Sequence, residues 1–270
     1  MARIAEMRSG ASEGARNMAV DAVLLSMAES GGITFALRTY TWEPACVSIG
    51  RLQDPSREIS AGRLRACGVG AVRRPTGGRA VWHENELTYC IAAAPGHPAA
   101  SGSIEQSLAM TGGMLVEALR SLGVPATLAR ADRHHLPHGM PSNPCFTSHG
   151  RMEVLVDGCK VVGNAQARRR GAFLEHGSII VRNDQVRLAD FLPAAGEADR
   201  IAVREILSSG VRGLADFVPG ITPGDVRDPL HDAFARAAGC VPDVMEEGDL
   251  DAGMLEAARE SLERESSAWE

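Results

Sequence analysis

The pair Asp157-Gly158 stands between two strand-like runs, Met152–Val156 and Lys160–Ala167. Asp-Gly tolerates the positive φ angles that two-residue hairpin turns require, so the middle of the chain is committed to an antiparallel pairing. The surrounding pattern extends that constraint. Strands are predicted at Ile33–Tyr40 and Cys46–Gly50, with a turn at Glu43-Pro44 between them, and at Val69–Arg74, Arg79–His83, Glu86–Ala93, Pro125–Arg130 and Phe173–Val181. Helical stripes are predicted at Arg16–Glu29, ended by Gly31-Gly32, at Pro55–Cys67, and from Ser103 to about Leu122. Past Asp184 the pattern turns helical, at Glu197–Ser208, Asp228–Ala238 and Leu250–Arg264. Because strands and helices do not alternate, the expected class is α+β: a mixed, largely antiparallel β-sheet flanked by helices, with a helical C-terminal appendage. The expected division is a main domain over residues 1–227 and a helical segment over 228–270 packed on it.

Composition narrows the function. With 270 residues, 44% hydrophobic and 23% charged, the chain can bury a core and is not disordered as its main state. No stretch approaches the roughly 20 apolar residues of a membrane span. Arg3, Glu6 and Arg8 make the N-terminus unlike a signal peptide, so a soluble cytoplasmic protein is expected. A net charge of −6 argues against nucleic-acid binding driven by bulk electrostatics. The six cysteines include no CxxC pair, and a disulfide framework is not expected; Cys46, Cys67 and Cys90 lie in apolar runs and are predicted to act as small buried hydrophobes. Of 28 basic residues only Lys160 is lysine. Arginine replaces lysine wherever charge alone is wanted, so this residue marks either chance retention or a need for a compact, titratable amine.

Chemistry concentrates in three places. Arg73-Arg74-Pro75-Thr76-Gly77-Gly78-Arg79-Ala80-Val81-Trp82-His83 joins two predicted strands through a diglycine turn. Such a turn lets backbone approach a ligand and exposes N–H groups, and Arg73, Arg74 and Arg79 are suited to a phosphate or carboxylate; an ordinary turn with solvated arginines would read the same. His134, His135, His138, Cys145 and His149 cluster as metal ligands do elsewhere, but their spacing matches no standard zinc site, and no metal is expected. Arg168-Arg169-Arg170 reads as a solvated turn, or as a basic patch that steers acidic partners.

Arg73 to Tyr89, R-R-P-T-G-G-R-A-V-W-H-E-N-E-L-T-Y, resembles the signature of the biotin/lipoate A/B protein ligase family. Arg79 after the two glycines resembles the octanoyltransferases of that family that work on the glycine-cleavage H protein, where lipoate ligases more often have a third glycine. Asn17-Met18-Ala19-Val20-Asp21, Val47-Ser48-Ile49-Gly50-Arg51-Leu52-Gln53, and Gly158-Cys159-Lys160-Val161-Val162-Gly163-Asn164-Ala165-Gln166 followed by His176-Gly177-Ser178 resemble further family blocks in order and spacing. The resemblance covers roughly Arg16 to Val181. It implies the ligase-type catalytic domain, with Arg73, Arg74, Thr76, Gly77, Gly78, Arg79, Ala80, Gly163, Asn164, Ala165, His176 and Gly177 around the substrate. Lys160 falls on the lysine that contacts the acyl carbonyl, and Cys145 falls where the octanoyltransferases have their acyl-accepting cysteine. Thr147, Asn164 and His149 depart from the family pattern.

Chemistry supports the same residues. A cysteine thiolate takes an acyl group from a thioester and keeps it activated, and a nearby cation such as Lys160 helps supply that thiolate and receives charge developing on the carbonyl oxygen. His83 is a candidate proton acceptor for the incoming amine, or a structural histidine. The expected activity is transfer of an octanoyl group from acyl carrier protein, through Cys145, to a lysine of a lipoyl-type acceptor such as glycine-cleavage H protein, with no cofactor. The alternatives are an ATP-dependent lipoate ligase, an amidotransferase between lipoyl domains, and a non-catalytic acyl-binding protein on the same scaffold.

Overall fold

The computed structural model describes residues 3–129, 152–193 and 196–269. Its centre is a six-stranded mixed sheet. In chain order its strands are β1 (Ile4–Ser12), β2 (Phe35–Trp42), β6 (Glu86–Ala93), β10 (Val162–Arg169), β11 (Ala172–Ile180) and β12 (Asp243–Val244), arranged β10-β11-β6-β2-β1-β12. Pairing is antiparallel from β10 to β2 and parallel from β2 to β12. Two three-stranded sheets complete the β structure. One contains β3 (Cys46–Ile49), β4 (Gly70–Arg73) and β5 (Val81–His83); the other contains β7 (Thr127–Ala129), β8 (Glu153–Val156) and β9 (Cys159–Lys160).

Helices cover both faces of the central sheet. On one face α5 (Ile104–Ser121) and α7 (Pro223–Ala238) pack against Phe35, Leu37, Tyr89, Ile91 and Phe173. On the other, α1 (Gly14–Ser30) and α8 (Ala252–Ser267) pack against Ala36, Tyr40, Ala92 and Leu174. Alternate residues of β2 and β11 thus feed two separate cores, and both strands are buried on both faces even where Arg38, Thr39, Glu175, His176 and Ser178 interrupt their apolar runs. A third core joins β3 and β5 to α6 (Glu197–Gly210) through Val47, Trp82 and Leu207. The expected α+β class and the helical C-terminal region are both present. Helix α7 runs through residues 227 and 228, β12 pairs with β1, and α8 lies on α1.

Local signals are well marked. Ser103 caps α5 in a capping box with Gln106, and Gly31 ends α1 in the left-handed conformation. Asp157 and Gly158, at φ 49° and 76°, form the hairpin turn between β8 and β9. Other expectations need correction. The run Lys160–Ala167 is two strands: Lys160 ends β9, and after Val161 the chain enters the central sheet as β10. Strands β4 and β5 do flank the diglycine turn as expected, and each pairs with β3 rather than with the other, so the turn crosses the end of β3. The stretch Pro55–Cys67 is two helices, α2 (Pro55–Glu58) and α3 (Ala61–Ala66), with Cys67 exposed beyond the second, whereas Cys46 and Cys90 are buried as expected. Among the described residues no helix is long and apolar enough to cross a membrane.

Candidate active site

A narrow, mostly apolar cleft opens where the central sheet meets the β3-β4-β5 sheet. It encloses about 330 Å³ of empty space, its solvent-open mouth included, and Met18, Tyr40, Trp42 and Val81 form its apolar wall. Of the residues expected around the substrate, Arg74, His83, Gly163, Asn164, Ala165, His176 and Gly177 line it. These come from β5, β10, β11 and the end of β4, so the order of sheet strands gathers them from across the chain.

Two histidines in the cleft are each backed by a carboxylate. His83 Nδ1 lies 2.8 Å from Glu86 Oε1, and its Nε2 lies 2.5 Å from Ser48 Oγ. Arg74 Nη1 donates to that same Ser48 Oγ at 2.7 Å. With its Nδ1 proton donated to Glu86, His83 takes the serine hydroxyl's hydrogen bond at Nε2. Trp42 stacks on the His83 ring at 4.0 Å, and Glu86 Oε1 also accepts from Thr88 and Ser178. The second histidine, His176, has Nδ1 3.0 Å from Asp21 Oδ2 and Nε2 2.6 Å from Thr76 Oγ1. Burial pushes Asp21 up, but His176, Arg38 and Tyr40 outweigh it and hold the carboxyl below the usual range; burial pushes the His176 imidazolium down. The pair is therefore an ionised carboxylate and a neutral imidazole. Behind it, Arg38 is fully buried and bonds Asp21, Asn17 and Ser9.

The diglycine turn is gripped from several sides. Thr76 bonds His176, Arg74 Nη2 donates to the carbonyls of Gly77 and Arg79, and the Thr76 carbonyl accepts from the Arg51 amide. Gly78 has φ +89°, and a Cβ on Gly50 would stand 2.1 Å from the Gly78 carbonyl oxygen. Gly50→Ala therefore forces the turn to shift. A displacement near 1 Å costs on the order of a hundredfold in an oriented reaction, and initial rates of Gly50→Ala against the parent check this.

Other expected residues lie elsewhere. Arg73 is turned away from the cleft, donating to the carbonyls of Gly50, Arg51 and Gln53 and pairing with Glu265 at 2.5 Å. Ala80 is buried in the third core. Lys160 is buried, with Nζ 2.9 Å from Glu153 Oε2, and does not line the cleft, although Gly163 three residues on does. Arg168, Arg169 and Arg170 are exposed at the β10–β11 turn, as the solvated-turn reading expects, and two of them also make bonds: Arg168 to the carbonyls of Ala100 and Gly102 and the Ser107 hydroxyl, Arg169 to Glu29 and Ser26. Cys145, with His134, His135, His138 and His149, lies outside the described residues.

Sequence reasoning passed over Ser48, Glu86 and Asp21, although all three stand inside the motifs quoted above. Tyr40 and Trp42, two apart on β2, and Glu86 and Thr88, two apart on β6, carried the period-2 signal of one strand face. Glu175, on the sheet face away from the cleft, was also missed. It is fully buried, and burial, with Glu153 adding, pushes its carboxyl to about 7 against hydrogen bonds from Thr111, Tyr89 and Asn164. A folded pKa above the unfolded one means the native state holds the extra proton, so this group's stability is complete in acid and is lost as pH rises toward 7. Glu175→Gln, which is always neutral, should be more stable than the parent at pH 8 by about 3 kcal/mol and nearly equal at pH 4, as denaturant titrations at both pH values would show.

Comparison with known proteins gives the family and the fold. The model of the lipoyl protein ligase A/B catalytic domain matches residues 13–235. The chain belongs to that family. It is 35% identical over 259 residues, 95% of its length and 93% of the relative's, to octanoyltransferase LipM of Kyrpidia tusciae. It is 33% identical to octanoyltransferase LipM of Lysinibacillus sphaericus, over 86% of this chain and 85% of that one. Within the family it lies among acyltransferases. A crystal structure of lipoate-protein ligase A bound with ATP shares the fold at a TM-score of 0.71 and 22% identity, covering 99% of this chain and 97% of that one. So does the bipartite lipoate protein ligase of Thermoplasma acidophilum, studied with its E2 lipoyl domain, at 0.72 and 21%, covering 96% and 91%.

Proposed function

We propose that the protein is an octanoyltransferase that carries an octanoyl group from acyl carrier protein through a Cys145 thioester to a lysine of a lipoyl-type acceptor such as glycine-cleavage H protein, without ATP. The observation that carries this reading is the likeness to octanoyltransferases along nearly the whole chain. The apolar lining of the cleft supports it, since each methylene of an acyl chain that is buried there contributes about 0.8 kcal/mol.

In the first half-reaction the Cys145 thiolate attacks the donor thioester carbon, the carrier's thiolate leaves and takes up a proton, and a new thioester forms. In the second, the acceptor amine attacks that thioester, an amide forms, Cys145 leaves as thiolate, and the amine gives up one proton. His83 is suited to receive that proton. Glu86 holds its ring at Nδ1, and the hydroxyl of Ser48 at Nε2 offers a path to it. We assign Lys160 to the thioester oxygen as charge develops there, which requires its Nζ to leave Glu153, 2.9 Å away, for the cleft it does not line. Initial-rate kinetics test the scheme. Varying octanoyl carrier protein and apo-acceptor without ATP should give the parallel lines of a ping-pong mechanism, whereas activity only with ATP and free octanoate or lipoate would make the protein a ligase.

A further inference from the structure

The two carboxylate-backed histidines differ in what lies beyond them. His83 leads through Ser48 to Arg74, while His176 leads to Thr76, the residue that opens the diglycine turn. We infer that Asp21 is a positioning residue: through His176 it sets which way the Thr76 hydroxyl points, and so fixes the diglycine turn to which the cleft-lining Arg74 is bonded.

The donors and acceptors leave one arrangement for the neutral ring. Asp21 Oδ1 accepts from Arg38 Nη1 at 2.8 Å, and Oδ2 accepts from Tyr40 Oη at 2.8 Å and from His176 Nδ1 at 3.0 Å. A carboxylate can only accept, so His176 carries its proton on Nδ1 and Nε2 is bare. Thr76 must then donate to that nitrogen, and at 2.6 Å it does so across a dry contact, Thr76 being fully buried. Donation thus runs from Thr76 to His176 to Asp21, and Arg38, a guanidinium that cannot lose its proton, donates to Asp21 from the other side. This network links β2, α1 and β11 to a turn more than 50 residues from Asp21 in sequence.

Replacing Asp21 with asparagine predicts a reversal rather than a gap. With its oxygen kept on Arg38, the new amide nitrogen faces His176 and Tyr40 and must donate to both. His176 then accepts at Nδ1, moves its proton to Nε2 and donates to Thr76, whose hydroxyl hydrogen is turned out of the contact.

Two readouts test the inference. In 15N-histidine NMR spectra of the parent, the His176 signals, identified by their loss in His176→Gln, should show protonated Nδ1 and bare Nε2. Asp21→Asn should exchange the two. A parent ring protonated at Nε2, or no exchange in Asp21→Asn, overturns the inference. The second readout rests on the proposed acyl transfer. Thr76→Val keeps the shape and removes the hydroxyl, and should raise KM for octanoyl carrier protein about tenfold with little change in kcat, with Thr76→Ser restoring it. A fall in kcat at unchanged KM, or no rescue by serine, would contradict positioning. Absence of transfer with any donor sinks the proposed function and leaves the spectral test standing.

Discussion

Cys145→Ala should form no octanoyl adduct and should lose transfer by more than about a thousandfold, as removal of a nucleophile that carries a covalent intermediate does. Alanine offers no atom that can hold an activated acyl group, and a direct attack of the acceptor amine on the donor must bring two macromolecules to the cleft at once. That raises an orientational cost which a two-step route avoids. The outcome separates the candidate activities, because an acyl-adenylate route needs no cysteine nucleophile. The checks are single-turnover transfer from octanoyl carrier protein and, in parallel, a thermal melt showing that the variant is folded. A variant that keeps a tenth or more of parental transfer would remove Cys145 from the mechanism.

The second large effect is on stability. Arg38→Met leaves Asp21 ionised in a fully buried position without its arginine, and also releases Asn17 and Ser9. Breaking a buried pair on one side costs about 3–5 kcal/mol, because the remaining charge is neither solvated nor neutralised. For a chain of this size that corresponds to a fall in Tm of about 10 °C, measurable by calorimetry. The methionine fills much of the arginine stem's volume, so most of the loss is electrostatic. In the parent, the Asp21 pKa is depressed on folding, so its contribution is present above the unfolded value near 3.9 and is lost as pH falls through the folded one. A melt of Arg38→Met within 2 °C of the parent at neutral pH would show that Tyr40 and His176 alone satisfy the carboxylate.

How far the sequence could be read depended on how local each signal was. Asp157-Gly158, the Ser103 cap and Gly31 act within a few residues, and each predicted element stands where those residues place it. Strand β1 alternates buried Ala5, Met7 and Ser9 with more exposed residues, but alanine and serine carry little β signal, so its pattern did not stand out. Strand β12 is two exposed residues that become a strand only by pairing with β1. The step at Val161 depends on two sheets meeting there, which no periodicity within the segment encodes. Within the site, His83, His176, Arg74 and the glycines were legible because they stand in dense motifs. Arg38 was not, since an arginine on a strand reads as a surface residue until its four buried acceptors are in view. The bond from Thr76 to His176 spans 100 residues. Only the fold brings those two together.

The central claim is an acyl-enzyme formed without ATP, and the intact mass of the protein after mixing with octanoyl carrier protein alone tests it most directly. The account predicts one octanoyl adduct, removed by excess thiol and absent from Cys145→Ala. No adduct, together with acyl-adenylate formed from free lipoate and ATP, would contradict it and make the protein a ligase.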